Sequence, residues 1–175
     1  MRNGLMWLAT ALSALSVGWV QSRSEAATLP EPARPPASCP VTQPPVPAFV
    51  PPQPYPASAP YGGFWYGSDD LWTLLVRRGT WRSLPHDDAG YRQKTFWWRP
   101  GYSGSADPRP KLRVTGRRLD AQAPPFEGHR ATNAHHRDFG GWAMLVGVDV
   151  PTHGCWEITG EYEGQQLSFV VWIAE

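Results

Sequence analysis

Five histidines, His86, His129, His135, His136 and His153, are the side chains best suited to hold a metal ion or move a proton near neutral pH. Three of them, His129, His135 and His136, fall in one polar stretch with Asp138 close behind, and His153 stands just before the last apolar segment. Neutral imidazoles bind copper and zinc, so His129, His135, His136 and His153 form a candidate metal set. Their spacing fits no dedicated zinc pattern, and adjacent histidines do not readily chelate one ion together. Solvated loop histidines are therefore the favoured reading, and no cofactor is expected. Gly101-Tyr-Ser103-Gly-Ser105 misses the nucleophile-elbow pattern at its last position and lacks the strand-turn-helix setting that pattern needs. The pairs Asp69-Asp70 and Asp87-Asp88 flank turns, where aspartates ordinarily bond the local backbone. Nothing here assembles a catalytic constellation, and the expectation is a non-enzyme.

Tryptophans are the other conspicuous resource. Eight follow residue 26: Trp65, Trp72, Trp81, Trp97, Trp98, Trp142, Trp156 and Trp172. Indole faces can stack on sugar rings, which makes Trp97, Trp98 and Trp172 a candidate aromatic surface for a carbohydrate or cell-wall ligand. Each indole also buries a large apolar area, so packing in a core or beneath an arm is favoured. Trp97 and Trp98 are neighbours on an expected strand and must point to opposite sides. A simple two-layer domain buries one of them; the other needs cover from a loop, the proline-rich arm or a partner.

These side chains are to be positioned by short strands. Gly154 to Ile173 reads as a β-hairpin. Trp156, Ile158 and Tyr162 share one parity with Gly160, and Leu167, Phe169, Val171 and Ile173 share one in the return arm. Glu163-Gly164-Gln165 makes the connection. Further strands are expected over 71–77, 80–84 (as the antiparallel return of 71–77), 93–99, 111–119 and 142–150, with 85–90, 100–110 and 126–138 as loops. About seven short strands without an amphipathic helix predict an all-β, antiparallel Ig-like sandwich over 62–175, a closed barrel being the main rival.

Upstream the composition changes. Residues 1–26 have the form of a secretory signal peptide: Arg2, an apolar run from Leu5 to Val20, and Ser24-Glu25-Ala26 as a cleavage site. The run is short for a bilayer span, so stable membrane insertion is not expected after cleavage, a retained anchor being the alternative. Residues 27–61 form a proline-rich arm with 13 of the 20 prolines between Pro30 and Pro60, which excludes a continuous helix or central strand. Removing residues 1–26 leaves 14 basic and 14 acidic side chains, a poor endowment for nucleic-acid binding. Residues 69–118 hold 11 basic and 5 acidic groups, and 119–175 hold 2 and 8. An antiparallel fold is expected to mix these halves in space. An even cysteine count in an exported chain favours a disulfide between Cys39 and Cys155, two unpaired thiols being the alternative.

Several phrases carry a resemblance: Cys39-Pro-Val-Thr, Leu71-Trp-Thr, Trp97-Trp98, Gly116-Arg-Arg-Leu-Asp-Ala, Ala123-Pro-Pro, and Pro151-Thr-His-Gly-Cys-Trp-Glu-Ile-Thr-Gly. Through them the chain resembles a family of uncharacterised exported bacterial proteins whose β-rich domain ends in a Gly-Cys-Trp-Glu phrase. The resemblance implies an exported Ig-like domain, periplasmic or extracellular, with a Cys39–Cys155 bridge, and carries no activity. The expectation is a noncatalytic binding or structural module whose partner is an unidentified protein or cell-envelope polymer.

Overall fold

The alternation is strongest in the C-terminal hairpin, and its two arms pair along their whole length. A computed structural model of the chain describes residues 34–175. The signal-peptide reading of 1–26 and the start of the arm lie outside the described residues. Among the described residues eleven strands form: β1 (Phe64–Gly67), β2 (Trp72–Leu75), β3 (Thr80–Trp81), β4 (His86–Asp87), β5 (Gly90–Trp98), β6 (Arg113–Arg118), β7 (Phe126–Glu127), β8 (Thr132–His136), β9 (Gly141–Val150), β10 (Gly154–Tyr162) and β11 (Gln165–Ile173). They make an all-β sandwich of two sheets. One runs β1-β2-β5-β9-β8 with β4 added to β5, and the other runs β3-β11-β10-β6-β7.

In the β10–β11 hairpin Tyr162 pairs with Gln165, so the turn is the two residues Glu163 and Gly164, both at positive φ. That conformation matches the twist of the flanking strands. Trp156, Ile158, Tyr162, Phe169, Val171 and Ile173 face the core with Trp97, Val114, Met144, Val146 and Val148 from the other strands. Gly160 sits in this apolar register because a Cβ there would come within 2.5 Å of the Trp97 ring. The missing side chain is the space the indole fills. Trp97 in turn donates its ring N–H to Thr95 Oγ1 at 2.9 Å, and Thr95 bonds the Val146 carbonyl at 3.2 Å.

The structure differs from the strand expectations in three respects. β1 (Phe64–Gly67) forms where no strand is expected, and β4 (His86–Asp87) lies within 85–90, read as a loop; both are short strands at sheet margins. β3 is not the antiparallel return of β2. The chain crosses to the second sheet after Leu75, and Thr80–Trp81 pairs in parallel with Trp172–Ile173 of β11, burying Trp81 against Phe169. The stretch 126–138, read as a loop, holds β7 and β8. Both are short, and β8 (TNAHH) is largely exposed edge, so neither shows the alternation that betrays a half-buried strand. The loop 100–110 is held to the hairpin by polar contacts. Tyr102 donates to the Asp107 carbonyl and Tyr162 to the Asp107 carboxylate, at 2.9 and 3.2 Å. Burial, with the Asp107 charge nearby, pushes the Tyr102 phenol up to about 12.

The arm from residue 34 onward belongs to the same compact unit as the sandwich. Cys39 is bonded to Cys155 of β10, whose side chain is on the outer face of the second sheet. Thr42 then meets the edge of β11: its N–H donates to the Val170 carbonyl at 2.9 Å, and its hydroxyl accepts from the Val170 N–H at 2.8 Å. Further on, the arm covers the outer face of the first sheet. Phe49 and Tyr55 lie against Trp72 with ring centroids 6.2 and 5.1 Å away, and Trp65 donates to the Pro56 carbonyl at 2.9 Å. Tyr55, Trp65, Trp72, Trp98, Phe139 and Ala143 form a second buried cluster, separate from the inter-sheet core. The proline-rich segment is thus a strap over both outer faces. Proline fits this task because its φ is already restricted and little chain entropy is lost on docking.

Two outcomes check this account. Reducing the disulfide, or replacing both cysteines by serine, removes a closure spanning 116 residues. Chemical denaturation is expected to show a loss of up to about 4–5 kcal/mol. Tyr55→Ala should cost about 3 kcal/mol by emptying the outer cluster. Hydrogen exchange should show the gain confined to β2 and the end of β5, while the β10–β11 amides stay protected.

Candidate functional site

The four histidines of the expected metal set are not brought together, and among the described residues no group of three or more His, Cys, Asp or Glu side chains could hold a metal ion. The reason is the pleat. His135 and His136 are consecutive on β8, so their side chains leave opposite faces. His135 packs edge-on against Trp142 at 4.8 Å. His136 Nδ1 accepts the Asp138 N–H at 3.2 Å, capping the short 3-10 turn Arg137–Phe139. His153 Nδ1 lies 3.4 Å from Glu175, and His129 Nε2 lies 2.6 Å from Asp149 Oδ2.

The aromatic surface is corrected in the same way. Trp97 and Trp98 are both fully buried. Trp97 fills the inter-sheet core, and Trp98, on the outer face, is enclosed edge-to-face by Trp65 at 5.0 Å and Phe139 at 5.3 Å. The strap adds a third layer, so a residue pair that alternates across the sheet is buried on both sides. The ring N–H groups of Trp72 and Trp98 are buried without a hydrogen-bond partner among the described residues, which costs roughly 1–3 kcal/mol each. Ring burial outweighs that cost. Trp172 is half-buried on β11, opposite Cys155, and stands apart from the other two.

Ser103 and Ser105 bond each other at 2.9 Å, and Asp87 accepts the Ala89 N–H at 3.0 Å as a local turn bond. Both cysteines are oxidised. Asp149 accepts from His129 and is approached by Arg92 at 3.7 Å, while Arg92 also pairs with Asp87. No protein hydroxyl or thiol is bonded to the His129–Asp149 pair among the described residues.

What the geometry does assemble is a pair of clefts, each of about 410 Å³, that share His129 as a wall. The first opens on the part of the outer face of β5 and β9 that the strap leaves bare. Lys94 is paired there with Gly147, which has no side chain, and His129 leans over the same glycine from the far side. The second cleft follows 109–113 and 127–131. His129 marks the seam between sheets. The preceding Gly128 N–H bonds the Val114 carbonyl of the second sheet at 2.7 Å, and the His129 N–H bonds the Gly147 carbonyl of the first at 2.8 Å. Arg113 grips Glu127 with two bonds of 3.0 and 3.2 Å. Those bonds hold the Glu127 carboxyl below its usual range. Sequence reading marked His129 but missed Lys94, Asp149 and the basic residues beside it. Only the register of β5 against β9 and the corner at 128–131 bring them together.

No protein-family model matches the chain, and no significant match was found among curated proteins or solved structures. Titration of the oxidised protein with zinc or copper is expected to give the same curve for the wild type and for a His135→Ala, His136→Ala double variant. A tight site lost in that variant would contradict the dispersal of the histidines.

Proposed function

We propose that the chain is an exported, noncatalytic β-sandwich module that binds a component of the cell envelope. One observation carries this reading: the groups that could have done chemistry are engaged in structural pairs, while the exposed clefts are lined by charges suited to holding a ligand. Cysteines form the staple, Ser103 and Ser105 bond each other, six of the eight tryptophans after residue 26 fill two cores, and His129 and His153 each face one acidic partner. Export is supported by the disulfide, which persists in oxidising compartments, and by the form of residues 1–26. No helix among the described residues is long and apolar enough to cross a membrane. The resemblance to exported proteins ending in Gly-Cys-Trp-Glu agrees with this placement.

The experiment is co-sedimentation of the oxidised protein with purified cell-envelope material, followed by analysis of the supernatant. Saturable pelleting without release of soluble fragments is the expected result. Release of fragments would mark an enzyme, and absence of pelleting would leave no envelope ligand to bind.

A further inference from the structure

We infer that the strip formed by the two clefts at the 128–131 corner is a binding site for an acidic polysaccharide, a glycan bearing carboxylates. This deepens the reading of the chain as a noncatalytic binding module and rests on it. The charges lining the strip carry the inference. Four cations, Lys94 in one cleft and Arg109, Lys111 and Arg130 in the other, are exposed and make no ion pair among the described residues. The acids in the same linings are engaged: Asp149 by His129 and Arg92, and Glu127 by the two bonds from Arg113. Although residues 27–175 balance in charge, this strip is left with an unopposed positive potential, which attracts and orients a polyanion.

The walls narrow the class further. Between the charges lie the exposed Pro85 and the open floor at Gly147 in the first cleft, while Val148, Pro110, Leu112 and Ala131 border the clefts with buried side chains. An opening over Pro85 and Gly147 beside Lys94 suits a ring that presents a hydrophobic face and a carboxylate, and each cleft has the volume of a small-ligand site. A ringless phosphate chain would use the cations and leave those walls bare. Single-stranded nucleic acid needs aromatic side chains on which bases stack, and neither lining contains Phe, Tyr or Trp. Lys111 and Arg113 lie two residues apart at the entry to β6, on the exposed side opposite the buried Leu112 and Val114, so both line one side of the second cleft.

The test uses the oxidised full-length protein and calorimetric titration with polygalacturonate, neutral dextran, inorganic polyphosphate and single-stranded DNA. Polygalacturonate should bind, dextran should not, and affinity should fall roughly tenfold or more between about 50 and about 300 mM salt. The double reversal Lys111→Glu, Arg130→Glu should weaken binding by about tenfold or more with an unchanged thermal unfolding midpoint. Arg77→Glu, Arg78→Glu, in the exposed turn after β2, should leave it within about twofold. Equal loss in the second pair, tighter binding of polyphosphate or DNA, or no binding of polygalacturonate at low salt would each overturn the site. Shortening of polygalacturonate during the titration would instead overturn the noncatalytic reading beneath it.

Discussion

Covering the outer aromatic face of the first sheet is the constraint on which the rest of the structure depends. Trp65, Trp72, Trp98 and Phe96 project from β1, β2 and β5 away from the sandwich interior. Left bare, they would form an apolar patch large enough to drive association. The strap removes that patch by laying Phe49 and Tyr55 on it, and Phe139 of the short turn after β8 closes the far side. A proline-rich chain forms few ladder hydrogen bonds, so it is held by other means. The Cys39–Cys155 bond anchors it to one sheet, and paired bonds between Thr42 and Val170 carry it past the edge of β11.

Charge is organised by the same topology. The basic first half and acidic second half of the domain meet across strands: Arg92 with Asp149, Arg99 with Glu163, Arg113 with Glu127, and Arg117 with Glu157. Exposed pairs like these contribute little to stability. Their effect is to neutralise many of the surface charges, with unmatched cations remaining beside the sheet-switching corner at Gly128 and His129, where Glu127 and Asp149 are already engaged, and in the turn at Arg77 and Arg78. The uneven surface follows from pairing register, because a strand places each charge opposite one particular residue and no other.

Legibility varied with the length and regularity of the element. β10 and β11 were readable residue by residue, because nine-residue strands with one face in the core impose a strict period of two. β5, β6 and β9 were readable for the same reason, with shifted ends. β1, β4, β7 and β8 were not, since two- to five-residue edge strands depend on a neighbour for their conformation and show no pattern of their own. The histidines illustrate the limit at the site. Their clustering in sequence pointed to a shared ion, but a strand at 132–136 separates what a loop would have gathered.

Residue chemistry alone determined the all-β class, the two-cysteine closure, the proline-rich character of the leading segment and the large aromatic area needing burial. Each of these follows from local properties: side-chain periodicity, thiol count, fixed φ and ring size. Tertiary structure decided the rest. It made the arm a third layer, turned Trp98 from a surface candidate into core, and set Lys94 beside His129 over a glycine floor. These outcomes depend on contacts between residues far apart in the chain, and no local pattern encodes which strand edge or sheet face a distant segment will meet.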